Sequence, residues 1–174
     1  MDELKEIIEG CKKESRKSQD QLYRKYSSML YGITLRYTRN KQEAEDVMQE
    51  GFVKIYKNIA SYSMERSFEG WIRRIMINTA ITNYRKNLKH AYQADITDVA
   101  YSKYDVSYQG NADFTQKELL QVINDLPNGY RMVFNMYVIE GYKHKEIAEM
   151  LSIDINTSKS QLSRAKKYLQ RELK

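Results

Sequence analysis

The chain has 174 residues, 30% of them charged, with 29 Lys and Arg against 23 Asp and Glu for a net charge of +6. One Pro and seven Gly argue against collagen-like and turn-rich all-β chains, the single Cys11 excludes an intrachain disulfide, and two His, His90 and His144, exclude a histidine-rich metal site. No apolar run nears the roughly 18 residues of a membrane span, and the charged start lacks a signal peptide's apolar stretch, so a cytoplasmic protein without membrane insertion is expected.

Leu22, Tyr26, Met29, Leu30, Ile33 and Tyr37 recur at helical spacing and predict an amphipathic helix over 18–38. Asn40 and Glu43 have the spacing of a capping box. The helix they open carries Ala44, Val47, Met48, Gly51, Phe52, Ile55 and Ile59 on its inner side. Residues 61–67 have no periodicity and read as a loop. Ser67 suits the N-cap of a third helix running to about Lys86, with Phe68, Ile72, Ile75, Met76 and Thr79 inward. From 90 to 113 the pattern disappears into Tyr, Ser, Asp and Gln, a connection too long for the inside of a compact domain. Thr115 and Glu118 form a second capping box before Leu119, Leu120, Val122 and Ile123. Pro127 fits the first turn of the next helix, whose stripe is Tyr130, Val133, Phe134 and Tyr137 and which Gly141 ends. The fold class expected is therefore all-α, with two small helical domains over 1–90 and 114–174 joined by a flexible linker over 91–113.

Residues 145–169 are the most specific passage. Ile147, Ala148 and Leu151 make one short apolar face, Ser152 and Ile153 interrupt it, and Asp154 is a good N-cap. Ile155, Ser158, Leu162, Ala165 and Leu169 then form a second inward stripe. Two short helices, a tight turn and a small residue at the crossing describe a helix-turn-helix. The outer side of the second helix offers Thr157, Lys159, Ser160, Gln161, Ser163, Arg164, Lys166 and Lys167. Early hydroxyls and amides followed by cations suit a helix entering a major groove N-terminus first, where polar groups meet base edges and cations meet phosphates. The alternative is a helical hairpin with a basic, solvated face. Against it stands the lack of any acid between Ile155 and Arg171, since an ordinary exposed helix mixes Glu with Lys.

The stretch 66–90 is also basic, with six Lys and Arg against Glu69 alone. Arg74, Asn78, Thr82 and Arg85 lie on one polar stripe, which can face water or a nucleic acid strand. The adjoining loop, with Ser63, Met64 and Arg66, can enclose an unstacked base. Phe68 and Trp71 are available as stacking platforms, although their spacing suits the core better. Glu43, Glu45, Asp46, Gln49 and Glu50 instead crowd one acidic face. Acids at a helix start are expected from its dipole, but such a face cannot bind DNA and would dock a basic protein.

These residues resemble a known family. Glu43-Ala44-Glu45-Asp46-Val47-Met48-Gln49-Glu50-Gly51-Phe52, followed by Phe68, Trp71, Ile72, Ile75, Asn78, Thr79 and Ala80, is similar to region 2 of bacterial RNA polymerase sigma factors. Leu126-Pro127, Glu140-Gly141-Tyr142, Glu146-Ile147-Ala148 and Asn156-Thr157-Ser158-Lys159-Ser160-Gln161-Leu162-Ser163-Arg164-Ala165 resemble region 4. Having these two regions alone is the plan of the extracytoplasmic-function (ECF) group. The resemblance implies a non-enzymatic subunit that binds core RNA polymerase and promoter DNA, with an anti-sigma factor as a further partner and no cofactor. It implies core polymerase binding through Glu43, Asp46, Gln49 and Glu50, on the clamp helices of the largest subunit. Capture of the minus-ten element's non-template strand would fall to Ser63, Met64, Arg66, Arg74, Asn78 and Thr82. Reading of the minus-thirty-five element would fall to Thr157, Lys159, Ser160, Gln161, Ser163, Arg164 and Lys167. The acidic linker would thread through the polymerase.

Three positions depart from the family's pattern. Asn156 stands where Gly is common, Ser158 where Val is common and Gln161 where Arg is common. A hydroxyl at 158 on the inward stripe is expected to bond the carbonyl one turn back, and Gln161 replaces a cation with an adenine-type reader. A stand-alone helix-turn-helix regulator is the alternative function. No phosphate-cradling Gly-rich loop or nucleophile–base pair points to an enzyme.

Overall fold

The computed structural model describes residues 2–93 and 115–173. All regular elements among them are helical, and the chain divides into two compact units, Met1–Tyr84 and Arg85–Lys174. The linker expected over 91–113 lies, from residue 94 onward, outside the described residues.

The first unit is built from α1 (Asp2–Lys12), α2 (Arg16–Tyr37), α3 (Lys41–Asn58), a single 3₁₀ turn (Ile59–Ser61) and, up to Tyr84, α4 (Phe68–Gln93). α1 has no counterpart in the sequence reading. It buries Ile7, Ile8 and Cys11, and burial raises the Cys11 thiol pKa, so this thiol is a core group. α2 buries Leu22, Tyr26, Leu30, Ile33 and Tyr37 along the expected stripe, with Met29 half-buried. α3 buries its expected inner side from Ala44 to Ile55, and the 3₁₀ turn adds Ile59. Gly51 sits where α3 and α4 approach closely: a Cβ there would lie 2.4 Å from the Met76 sulfur. Tyr56 of α3 donates its hydroxyl to the Gln19 carbonyl at 2.8 Å, and burial foremost pushes its pKa up to about 12. The phenol therefore stays a donor at any working pH.

α4 extends beyond the expected end near Lys86, because Lys86, Leu88 and Lys89 are good helix formers that need no buried face to continue it. Ser67 caps it by accepting from the Gly70 amide at 3.2 Å. Phe68, Ile72, Met76 and Thr79 are buried as expected, and Ile75 is half-buried.

The second unit holds α5 (Gln116–Asn124), α6 (Asn128–Phe134), a π-helical segment (Asn135–Ile139), α7 (His144–Leu151) and α8 (Ile155–Glu172). The Thr115–Glu118 capping box is complete. Val122, Leu126, Ala165 and Leu169 form a cluster against which Tyr130, Phe134 and Tyr168 pack. Pro127 is the N-cap of α6, one residue earlier than expected. The stripe expected after it is only partly right. Arg131, Met132, Val133, Asn135 and Met136 are buried, whereas Tyr137 is exposed. The reason is the π segment, closed by the Glu140 amide to the Asn135 carbonyl at 3.0 Å, whose wider turn shifts the helical phase. Arg131 is accommodated inside by bonds to the Asn124 carbonyl at 3.2 Å and Asn128 Oδ1 at 3.0 Å. Gly141 then takes φ +79° to turn the chain out, as the sequence expects of a helix stop.

Candidate nucleic-acid interface

α7 and α8 form the expected helix-turn-helix. Ser152 ends α7 in the left-handed region, φ +55°, and the Ile153 amide returns to the Ala148 carbonyl at 3.0 Å. Asp154 then caps α8 by accepting from the Asn156 amide at 2.7 Å; such caps are each worth about 1 kcal/mol. The inward stripe of α8 is Ser158, Leu162, Ala165 and Leu169. Ile155, expected to belong to it, is exposed, since the turn places the first residue of α8 beyond the reach of α7.

On the other side Lys159, Ser160, Ser163, Arg164 and Lys167 are exposed, and Thr157 and Gln161 are half-buried. Ser160 donates to the Thr157 carbonyl at 3.0 Å, leaving its oxygen free to accept. Among the described residues no carboxylate pairs with Lys159, Arg164, Lys166 or Lys167. An unpaired row of cations is what a polyanion needs, because no internal ion pair must be broken first. Gln161 differs from its neighbours: its amide leans on Gly129, where a Cβ would lie 2.9 Å from Gln161 Oε1. This side chain is packed against the start of α6.

The second basic surface lies on α4. Arg74, Asn78, Thr82 and Arg85 are all exposed along one face. Thr82 donates to the Asn78 carbonyl at 2.9 Å, while the Asn78 side chain has no partner among the described residues. The loop beside it is more ordered than its sequence implies. Tyr62 is buried, donates its hydroxyl to the Arg66 carbonyl, and packs edge-on against Phe68 with ring centroids 5.0 Å apart. The Arg66 amide closes the turn on the Ser63 carbonyl at 3.2 Å. Ser63, Met64 and Arg66 are thereby held outward, Met64 with 48% of its surface exposed. Phe68 is a core residue, while Trp71, half-buried, lies 5.3 Å from Tyr62 and 5.7 Å from Phe68.

The acidic face of α3 loses one member. Asn40 caps the helix by accepting from the Glu43 amide at 2.8 Å, but the Glu43 carboxylate reaches past the cap to the Arg39 amide at 2.9 Å. Its other oxygen accepts from Asn83 of α4 at 2.8 Å. Glu43 is thus engaged in holding α3 to α4, and only 15% of its side chain is exposed. Asp46, Gln49 and Glu50 remain exposed, with Val53 continuing their line at 48% exposure. Glu50 also pairs with Lys54 at 2.8 Å.

Residues 22–90 match the family model Sigma-70 region 2, and residues 116–169 match Sigma-70, region 4. The chain is 31% identical over 160 residues to the ECF RNA polymerase sigma factor SigW of Bacillus subtilis, covering 86% of this chain and 85% of that one. The chain belongs to the ECF family of RNA polymerase sigma factors. It is also 25% identical to the RNA polymerase sigma-H factor of Pseudomonas aeruginosa, across 97% of this chain and 92% of the relative. Its fold resembles that of the sigma factor RpoE from Bartonella quintana, solved with the anti-sigma factor NepR: TM-score 0.54, 21% identity, 87% of this chain and 94% of that one. As an ECF sigma factor it binds core RNA polymerase and directs promoter-specific initiation of transcription. The presence of both regions in order favours this over a stand-alone regulator.

Proposed function

We propose that this sigma factor divides promoter recognition between its two units and acts through binding free energy alone, without catalysing a reaction. α8 reads the minus-thirty-five element through Thr157, Lys159, Ser160, Ser163, Arg164 and Lys167, with Gln161 at the inner edge of that surface. The α4 face of Arg74, Asn78 and Thr82, with Ser63, Met64 and Arg66 of the ordered loop, captures the non-template strand of the minus-ten element. Melting is offset there by base capture and phosphate neutralisation. Asp46, Gln49 and Glu50 dock on core polymerase, with Glu43 supporting the helix from behind. The observation that carries this reading is the pair of exposed basic faces, one on α4 and one on α8, whose Arg74, Arg85, Lys159 and Arg164 have no carboxylate partner among the described residues. An anti-sigma factor is a further partner, supported by the relative solved with NepR. The place of action is the cytoplasm, with the polymerase.

Run-off transcription from a genomic promoter pool tests the whole reading: specific transcripts should require core enzyme and this chain together, and their absence would refute it. Reversing Asp46 and Glu50 to Lys should weaken core binding by about tenfold or more without altering the fold; unchanged affinity by titration removes the acidic face from the scheme. Asn78→Ala should slow opening of a duplex promoter by about tenfold, roughly one lost base contact. Binding to a minus-thirty-five duplex should be unaffected, and equal losses on both DNAs would rule out strand capture at Asn78.

A further inference from the structure

Ser158 lies in the first turn of α8 with none of its surface exposed, and a buried hydroxyl requires a partner. The expected bond to the carbonyl one turn back is not the one made. The hydroxyl meets Nδ1 of His144, 2.9 Å away at the start of α7. The same imidazole stacks on Tyr137, ring centroids 4.4 Å apart and planes inclined by 22°. Tyr137 belongs to the π segment, so one ring joins three successive elements at a point next to Lys159 and Ser160. π segments inside helices are frequent at functional sites, and here the phase shift delivers Tyr137 to His144.

We propose that His144 is a positioning residue for promoter reading, whose stack on Tyr137 and bond to Ser158 set the rotation at which α8 presents Lys159, Ser160, Ser163 and Arg164. This rests on the assignment of α8 to the minus-thirty-five element. The leverage follows from helix dimensions. With side chains about 5–6 Å from the axis, a 10° rotation moves their tips by about 1 Å. A displacement of that size takes a hydrogen bond out of its useful range. The charges around the ring define its working form: Lys159 and Lys166 face it from α8, Tyr137 covers it from the π segment, and Lys143 and Lys145 flank it in sequence. Desolvation first, then the two lysines of α8, hold its pKa below the ordinary histidine value, so the neutral ring is the folded form. Its contribution is present above the ordinary value of about 6.5 and is lost as pH falls below it.

The test uses the full chain as holoenzyme on promoters that the wild type selects from a library randomised at minus thirty-five. His144→Phe keeps the stack and removes the bond; it should lower transcription from the selected promoter about tenfold, the scale of one orphaned buried polar group, and broaden base preference. Adding Ser158→Val removes the orphan and should recover most of the loss. His144→Asn, whose Oδ1 stands near the Nδ1 position, keeps the bond and gives up the stack, and should lose less activity and preference than His144→Phe. The fall in thermal stability as pH drops below about 6.5 should be smaller in His144→Phe than in wild type. Unchanged base preference in His144→Phe, no recovery in the double variant, or a His144→Asn protein that behaves like His144→Phe each overturns the proposal. A wild-type holoenzyme that selects no minus-thirty-five sequence would instead remove the reading of α8 itself, and the role of His144 with it.

Discussion

Phe68→Ala should lower the stability of the first unit by about 3–5 kcal/mol, the range for deleting a buried aromatic ring. The ring is 4% exposed and touches three others: Tyr26 at 5.7 Å, Tyr62 at 5.0 Å and Trp71 at 5.7 Å between centroids. Its removal leaves a cavity between α2 and α4 and takes away the edge-on support of Tyr62, and such aromatic pairs add about 0.5–1.5 kcal/mol beyond burial. Since the Tyr62 hydroxyl closes the loop onto the Arg66 carbonyl, the functional loss should exceed the stability loss. Even where the variant is still folded, promoter opening should fail because Ser63, Met64 and Arg66 are no longer held outward. Denaturation of the full chain followed by a probe in the first unit gives the stability term, and the second unit should melt unchanged. Trp71→Ala provides the contrast, as its half-buried ring has less packing to lose. A loss below about 1 kcal/mol for Phe68→Ala, well under the cavity range, would mean that this ring is not core and that the stacking role the sequence leaves open belongs to it.

Much of this architecture was legible because it is encoded locally. The α2 stripe, the caps at Asn40, Thr115 and Asp154, and the turn between α7 and α8 each depend on residues within a few positions of one another. Local spacing decides such features, and the exposed faces of α4 and α8 follow as their complements. What escaped depends on contacts across the fold. α1 has a short apolar set among charges and gains its place only by burying Ile7, Ile8 and Cys11. Glu43 has the spacing of a cap, but nothing local announces that Asn83, forty residues on, claims its second oxygen. The π segment breaks the 3.6-residue rhythm on which the reading of Tyr137 relied. The loop before α4 has no rhythm of its own, and its order comes from Tyr62 and Phe68. Ser158 carried a usable signal, a hydroxyl on a stripe of apolar residues. The sequence pointed to the nearest carbonyl, whereas the fold supplied His144.

Arg164→Ala should weaken binding to the selected promoter by about 1–3 kcal/mol while leaving the fold intact, and the pattern of the loss identifies the contact. The side chain is exposed, has no carboxylate partner among the described residues, and lies on α8 opposite the Ser158–Leu162–Ala165 stripe. Truncating it removes no packing, so thermal stability should change by no more than about 0.5 kcal/mol. A guanidinium bidentate to a guanine edge discriminates that base, in which case the variant loses preference at one position and retains it elsewhere. A guanidinium on phosphate carries no sequence information; the loss is then uniform over promoters and the salt dependence of binding flattens by about one ion. Lys167→Ala, one turn further along the same face, is expected to follow the second pattern. An ammonium there has no fork to match a base edge, and cations late in a helix inserted N-terminus first meet the backbone. If Arg164→Ala instead leaves affinity, preference and salt slope all unchanged, Arg164 makes no contact with DNA, and the reading surface of α8 is left to Thr157, Lys159, Ser160, Ser163 and Lys167.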